Sequence, residues 1–113
     1  MSVIDLPTFE KLKHNVGADF VGELIAAYGA ETPQLMTKLR QALTAQDADT
    51  FRQAAHSIKS TSNTFGALQL GALAKELEMM GREGNLTNAH HKVDQLVAEY
   101  DRVLQTLKEL NHG

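Results

Sequence analysis

Apolar residues recur along this chain at intervals of three and four almost from end to end, and stretches of strict alternation rich in Val, Ile, Tyr or Thr are few. The pattern predicts an all-α fold. A short first helix is marked by Pro7 near its start and by Leu6, Phe9, Leu12 and Val16, with Gly17 as its stop; it reads as a lid rather than a full member of a bundle. A second helix, beginning near Asp19, is expected to carry Phe20, Leu24, Ala27, Tyr28, Leu35, Leu39 and Leu43 on one stripe, with Ile25 and Met36 at its edge. Pro33 removes an internal hydrogen bond and crowds the preceding turn, so a kink is expected near Glu31-Thr32. The third helix should run from an Asp47 cap to Phe65, with Gly66 where helices commonly end. The fourth uses Leu70, Leu73, Leu77 and Met80 and stops between Gly81 and Gly84. A fifth, capped by Thr87, shows Val93, Leu96, Val97, Tyr100, Val103, Leu104, Leu107 and Leu110. Four amphipathic helices with short connections imply an antiparallel up-down-up-down four-helix bundle with a short extra N-terminal helix.

The length of 113 residues suits one core, and no repeat, linker or shift in composition divides the chain, so residues 1–113 read as a single domain. With 42% hydrophobic and 22% charged residues, it is neither a disordered tail nor a membrane protein. The absence of cysteine removes disulfides, thiolate catalysis and Cys-based metal sites together. No basic segment followed by an apolar stretch opens the chain, and no apolar run approaches the roughly 18 residues of a membrane span, so a cytoplasmic location is expected. On that ground the sequon Asn85-Leu86-Thr87 reads as chance. A net charge of −3 with both signs scattered and no basic block argues against nucleic acid as a partner. A start at Met1 favours a free-standing protein over an excised domain.

The third helix carries the candidate chemistry. Its apolar positions Phe51, Ala54, Ala55, Ile58, Ser62 and Phe65 centre roughly 150° away from His56, so this histidine should point to solvent. Arg52, Lys59, Ser60 and Asn63 fall within about 60° of it, a polar stripe bearing cations. A lone exposed histidine is more often plain surface. Here, however, the surroundings suit reversible phosphorylation of an imidazole nitrogen. An imidazole of ordinary pKa, about 6.5, is largely neutral at cytosolic pH and presents a lone pair without a dedicated base. Lys59, one turn along, can neutralise the oxygens of a phosphoryl group once attached.

The segment Ala55-His56-Ser57-Ile58-Lys59-Ser60-Thr61-Ser62-Asn63-Thr64-Phe65-Gly66-Ala67 resembles the signature of the histidine-containing phosphotransfer (HPt) domain family, Ala-His-x-hydrophobic-Lys-Gly-Ser-Ser-x-x-hydrophobic-Gly-Ala. The family's helical bundle also agrees with the helix pattern of the whole chain. The resemblance implies a phosphorelay carrier with His56 as phosphoacceptor, through Nε2, and Lys59 as the phosphoryl-stabilising cation. Ser60 and Asn63 accompany them as site residues. Leu77-Glu78-x-x-Gly81-Arg82 resembles the family's fourth helix, whose polar residue contacts the histidine in some members. Glu78 would then accept Nδ1–H and hold Nε2 outward; the alternative is a solvated glutamate. Ser60 departs from the family glycine, adding a Cβ and a hydroxyl where a partner must approach. The partners implied are receiver domains, one of a hybrid histidine kinase and one of a response regulator. The carrier would have no cofactor of its own, magnesium being held by the receiver, and would act as a monomer without an ATP site.

Other constellations carry less. His90 and His91 are adjacent and point about 100° apart on a helix, and Asp94 would bring the ligands to two at most. The paired Glu-x-x-His motifs of di-iron bundles are missing, since Gln53 and Thr87 stand three before His56 and His90. Met36, Met79 and Met80 read as core filler or groove edge. Gly22 and Gly29 smooth one side of the second helix, either for close packing or, with Ile25 and Met36, as a shallow docking ring beside His56. A dimerising histidine-kinase helix is disfavoured by Ser57, where such helices carry an acidic residue, and by the lack of a glycine-rich nucleotide loop. The alternative from another class is a non-catalytic bundle that binds a receiver domain as scaffold or inhibitor.

Overall fold

Helix boundaries follow from capping groups that the sequence supplies. In a computed structural model, which describes residues 3–112 without the His112 side chain, Asp5 caps α1 (Leu6–Val16) by accepting from the Thr8 amide, with Pro7 in the first turn. Met1, the basis for expecting a free-standing protein, lies outside the described residues. After Gly17 comes α2 (Ala18–Ala45), continuous through Pro33, whose ring lies on the exposed side. Gln46, in the left-handed conformation at φ 58°, closes it by donating its amide to Leu43 O. Asp47 then caps α3 (Ala48–Thr64), accepting 3.1 Å from Thr50 N and 2.7 Å from Thr50 Oγ1. Those Thr50 bonds, the side-chain one foremost, hold the Asp47 carboxyl below its ordinary pKa.

Gly66 makes the turn into α4 (Leu68–Glu83). At φ 88° it adopts a conformation that L side chains rarely adopt, and a Cβ there would lie 2.7 Å from Asp5 O, because the Asp5 amide donates to Gly66 O at 2.8 Å. This contact pins α1 onto the α3–α4 end of the molecule. The last helix, α5 (Ala89–His112), starts two residues beyond the expected Thr87 cap, after Asn88 at φ 65°.

Helices α2 to α5 form a closed ring in which each packs on two neighbours, while α1 lies against α2 and α3. Pairings fix the directions. Asn63 faces Gly71 and Arg52 faces Gly81 across α3–α4; Gly22 meets Asn111 and Gly29 meets Leu104 across α2–α5. In each pair one number rises as the other falls, so these neighbours run antiparallel. The expected bundle with its extra N-terminal helix is thus what the chain builds, and no strand occurs among the described residues.

Two details differ from the sequence reading. The buried face of α2 is Val21, Ile25, Tyr28, Thr32, Leu39, Ala42 and Leu43. Phe20 is 48% exposed, Ala27 is exposed, and Ile25 is fully in the core rather than at its edge. The cause is that α2 meets α1, α3 and α5 along its 28 residues, so no single stripe serves its whole length. Gly22 and Gly29 face α5, so they serve helix packing and form no ring beside His56. Of the methionines, Met36 and Met80 are half-buried and Met79 is exposed.

Behind the third helix lies a polar tie within the core. Tyr28 Oη and Ser62 Oγ are 2.8 Å apart and buried, and the Tyr28 ring packs on Phe65 and Tyr100 at centroid distances of 4.9 and 5.5 Å. Burial pushes the Tyr28 phenol well above its ordinary pKa. With Phe51, Ala54, Ala55, Ile58 and Ser62 all turned inward, the rotation of α3 is set, and His56 faces out.

Candidate functional site

Close approach of α4 to α3 builds the site. Gly71, Ala74 and Gly81 are buried on the α4 face that meets α3, and a Cβ at Gly81 would come within 2.8 Å of Arg52 Cβ and 2.9 Å of Ala48 O. Small residues at this spacing let the two backbones come together. Glu78 lies on the same face, one turn before Gly81, and at this separation its carboxylate reaches the polar edge of α3.

There it is 4% exposed and meets three groups. Oε2 lies 2.8 Å from His56 Nδ1, Oε1 lies 2.7 Å from Lys59 Nζ, and the Arg82 guanidinium stands at 3.7 Å from Oε2. A buried carboxylate is stable as an anion only with such partners. Here they prevail: the hydrogen bond from Lys59 and then that from His56 hold the Glu78 carboxyl below its ordinary pKa, against the upward push of burial. The glutamate is therefore ionised at neutral pH, and an ionised carboxylate only accepts. It follows that Nδ1 of His56 carries the proton and donates it to Glu78. In the neutral ring the lone pair then sits on Nε2. Since the His56 side chain is 54% exposed, that lone pair is open to an incoming group.

The residues singled out in the sequence stand as follows. His56, Lys59 and Glu78 come together, and Glu78 is a buried bridge rather than a solvated glutamate. Ser60 is exposed beside a hollow of about 250 Å³ between α2 and α3, lined by Leu24, Ala27, Glu31 and Thr64 among others. Asn63 is exposed, two turns beyond His56, and its side chain lies across Gly71. Arg52 is drawn away toward the start of α3, where it donates to Asp49 at 2.9 Å. The hydroxyl pair of the motif divides: Thr61 donates to Ser57 O, whereas Ser62 is the core partner of Tyr28. Asp94, considered with His91, is engaged by Arg40 at 3.1 Å.

Two features escape a reading of the sequence alone. One is the proximity of Arg82 to the His56 cluster, signalled only indirectly, by its i+4 spacing from Glu78 and its place in the fourth-helix stretch. The other is Glu99, 5% exposed on α5 and paired with Arg102 at 2.6 Å, foreshadowed by their i,i+3 spacing.

The family model for the Hpt domain matches residues 23–106. Among solved structures, the chain is similar to histidine-containing phosphotransfer protein B (HptB) from Pseudomonas aeruginosa PAO1. The TM-score is 0.90 and the identity 27%, over 97% of this chain and 95% of that one. The histidine-containing phosphotransfer domain of ArcB from Escherichia coli shares the fold, with a TM-score of 0.83 and 21% identity over 97% of this chain and 93% of that one. A search of curated proteins found no significant match. No helix is long and apolar enough to cross a membrane among the described residues.

Proposed function

This chain belongs to the Hpt domain family of phosphotransfer carriers, which are not ATP-dependent kinases, and from that premise we propose that His56 accepts a phosphoryl group from a receiver-domain aspartate and passes it to the aspartate of a second receiver. The observation that carries the proposal is the Nδ1–Glu78 hydrogen bond of 2.8 Å beside a half-exposed ring, which leaves the Nε2 lone pair directed to solvent.

In the forward step, Nε2 attacks the phosphorus of an aspartyl phosphate. A P–N bond forms as the P–O bond to the aspartyl carboxylate breaks, and that carboxylate leaves with the electron pair. No proton moves. Because Nδ1 keeps its hydrogen, the ring acquires positive charge, and Glu78 already stands against the nitrogen that shares it. A fixed anion at the point where cationic charge develops stabilises the transition state without reorganisation. Lys59 meets the phosphoryl oxygens from the next turn. The reverse step, with a second receiver's carboxylate as nucleophile, returns the ring to neutrality. Magnesium belongs to the receiver in this scheme.

The test is incubation with a receiver domain phosphorylated at its aspartate, followed by assay for acid-labile label on the carrier. Label is expected on the parent and lost in His56→Gln with an unchanged circular dichroism spectrum. Stable binding of the receiver with no label on the parent would overturn the proposal in favour of a non-catalytic scaffold.

A further inference from the structure

Glu99 on α5 is buried, and its carboxylate is satisfied on one side only. Oε1 accepts two hydrogen bonds from Arg102, at 3.1 Å from Nε and 2.6 Å from Nη2. Oε2 is shut off from solvent and has no hydrogen-bond partner among the described residues. Leaving a buried acceptor without a donor costs stability, and a charged one costs more. The same glutamate lines a hollow of about 440 Å³ between α4 and α5. Ala72 and Leu73 of α4 and Ala98 of α5 give the hollow apolar walls, and its charged groups are Glu76, Glu99 and Arg102. Lys92 meets Glu76 at 3.3 Å from outside the lining, so Glu99 is the acceptor left to select a ligand. Cavities of about 300–1,000 Å³ with apolar walls and a few placed polar groups are those that small ligands fill.

We propose that this hollow is a binding site for a small organic cation, an ammonium or amidinium group on an apolar body. In the bound state the Glu99 carboxylate turns Oε2 to an N–H of the ligand while Oε1 keeps Arg102, and the apolar body lies against Ala72, Leu73 and Ala98. A cationic donor bonds a carboxylate more strongly than a neutral one, which sets the class of ligand. The site is on the back of α4. Ala72, Leu73 and Glu76 line the hollow toward α5, whereas Gly71, Glu78 and Gly81 meet α3, so an occupant leaves the His56 ring open. Binding there does not depend on the reaction of His56.

The test is titration of ¹⁵N-labelled protein with benzamidine, an amidinium on a phenyl ring, followed by amide chemical shifts. Saturable shifts are expected at Ala72, Leu73, Ala98 and Glu99. Benzamide, the uncharged counterpart, should bind about tenfold more weakly or worse, the scale of a hydrogen bond to a charged group. Glu99→Gln, which removes the charge and keeps the shape, should weaken benzamidine by a similar factor, while Glu83→Gln, an equal loss of charge at an exposed position of α4, should bind as the parent does. Should Glu99→Gln fail to fold, Ala72→Leu gives a second test, since Ala72 is exposed and the larger side chain fills the hollow while leaving the carboxylate in place. Absence of saturable shifts in the parent, equal binding of benzamide, or a Glu99→Gln or Ala72→Leu protein that binds benzamidine as the parent does would overturn the site.

Discussion

Gly81→Ala adds one methyl group at the crossing of α3 and α4 and should disturb the site without touching any polar atom. The new carbon would lie 2.8 Å from Arg52 Cβ and 2.9 Å from both Arg52 Cα and Ala48 O. Carbon atoms prefer about 3.5–4.0 Å, so the helices must part by roughly 0.7 Å, and the obstructing atoms belong to backbone or lie next to it. Overpacking of this kind costs about 1–3 kcal/mol, against about 0.5–1 kcal/mol gained by replacing a helical glycine with alanine. A net loss of about 1 kcal/mol, the middle of that range, should lower the melting temperature by roughly 4–8 °C. Glu78 is one turn away on the same face, and the same displacement stretches its 2.8 Å bond to His56 beyond hydrogen-bonding range. Long-range ¹H–¹⁵N correlation of the imidazole should then show a shift from the Nδ1–H tautomer toward Nε2–H, and phosphotransfer should slow in proportion. Gly71→Ala is the matched control. The atoms nearest its methyl belong to the side chain of Asn63, which is exposed and can swing aside, so stability should hold or rise and the tautomer should not change. A Gly81→Ala protein as stable as Gly71→Ala, with the Nδ1–H tautomer intact, would refute the claim that close helix approach delivers Glu78 to the site.

Three further outcomes are expected. Lys59→Ala should slow transfer at saturating receiver by about tenfold or more, near 1.4 kcal/mol of transition-state stabilisation, and Lys59→Arg should recover part of it; an unchanged rate in stopped-flow measurements would remove the lysine from the chemistry. Ser60→Gly should speed transfer, because Ser60 is exposed where a receiver must approach, and a slower rate would instead assign its hydroxyl a supporting role. Since the Glu78 carboxyl is held below its ordinary value of 4.5, its stabilising effect is fully present above that pH and is lost as pH falls through the lower, folded value. Melting temperatures measured from pH 6 downward should therefore drop less steeply in Glu78→Gln than in the parent, and parallel curves would contradict the sign of that shift.

Much of this arrangement is legible in the residues. On α3 the inward set is compact and the helix packs with one face, so a simple wheel sets His56 apart from Phe51, Ala54, Ala55, Ile58 and Ser62. The start of α3 at Asp47 is legible because a side-chain oxygen satisfies an end amide locally, and that of α1 because Pro7 suits a first turn; the Asp5 cap itself is not singled out. What is not legible is long-range. The face of α2 changes with its neighbours along the chain, which is why Phe20 is outside and Val21 inside. Burial of a charged residue such as Glu78 depends on the distance between two helices. Gly71, Ala74 and Gly81 permit that close approach, but Gly81 reads in the sequence as a helix stop, and the side chain that fills the gap and the cations that neutralise it emerge only once the helices are in place. Arg82 shows the same limit, since its spacing from Glu78 suggests a pair and says nothing of the histidine across the groove.

Phosphotransfer by this chain turns on one atom, Nε2 of His56. Protein labelled with ¹⁵N at the histidine rings, phosphorylated by a receiver domain and examined by ³¹P–¹⁵N coupling, reports directly which nitrogen holds the phosphorus. Coupling to Nε2 of His56, with Nδ1 still protonated, is the predicted result. Coupling to Nδ1, or phosphorus on His14, His90 or His91, would contradict the assignment of Glu78 as the group that holds one nitrogen and frees the other.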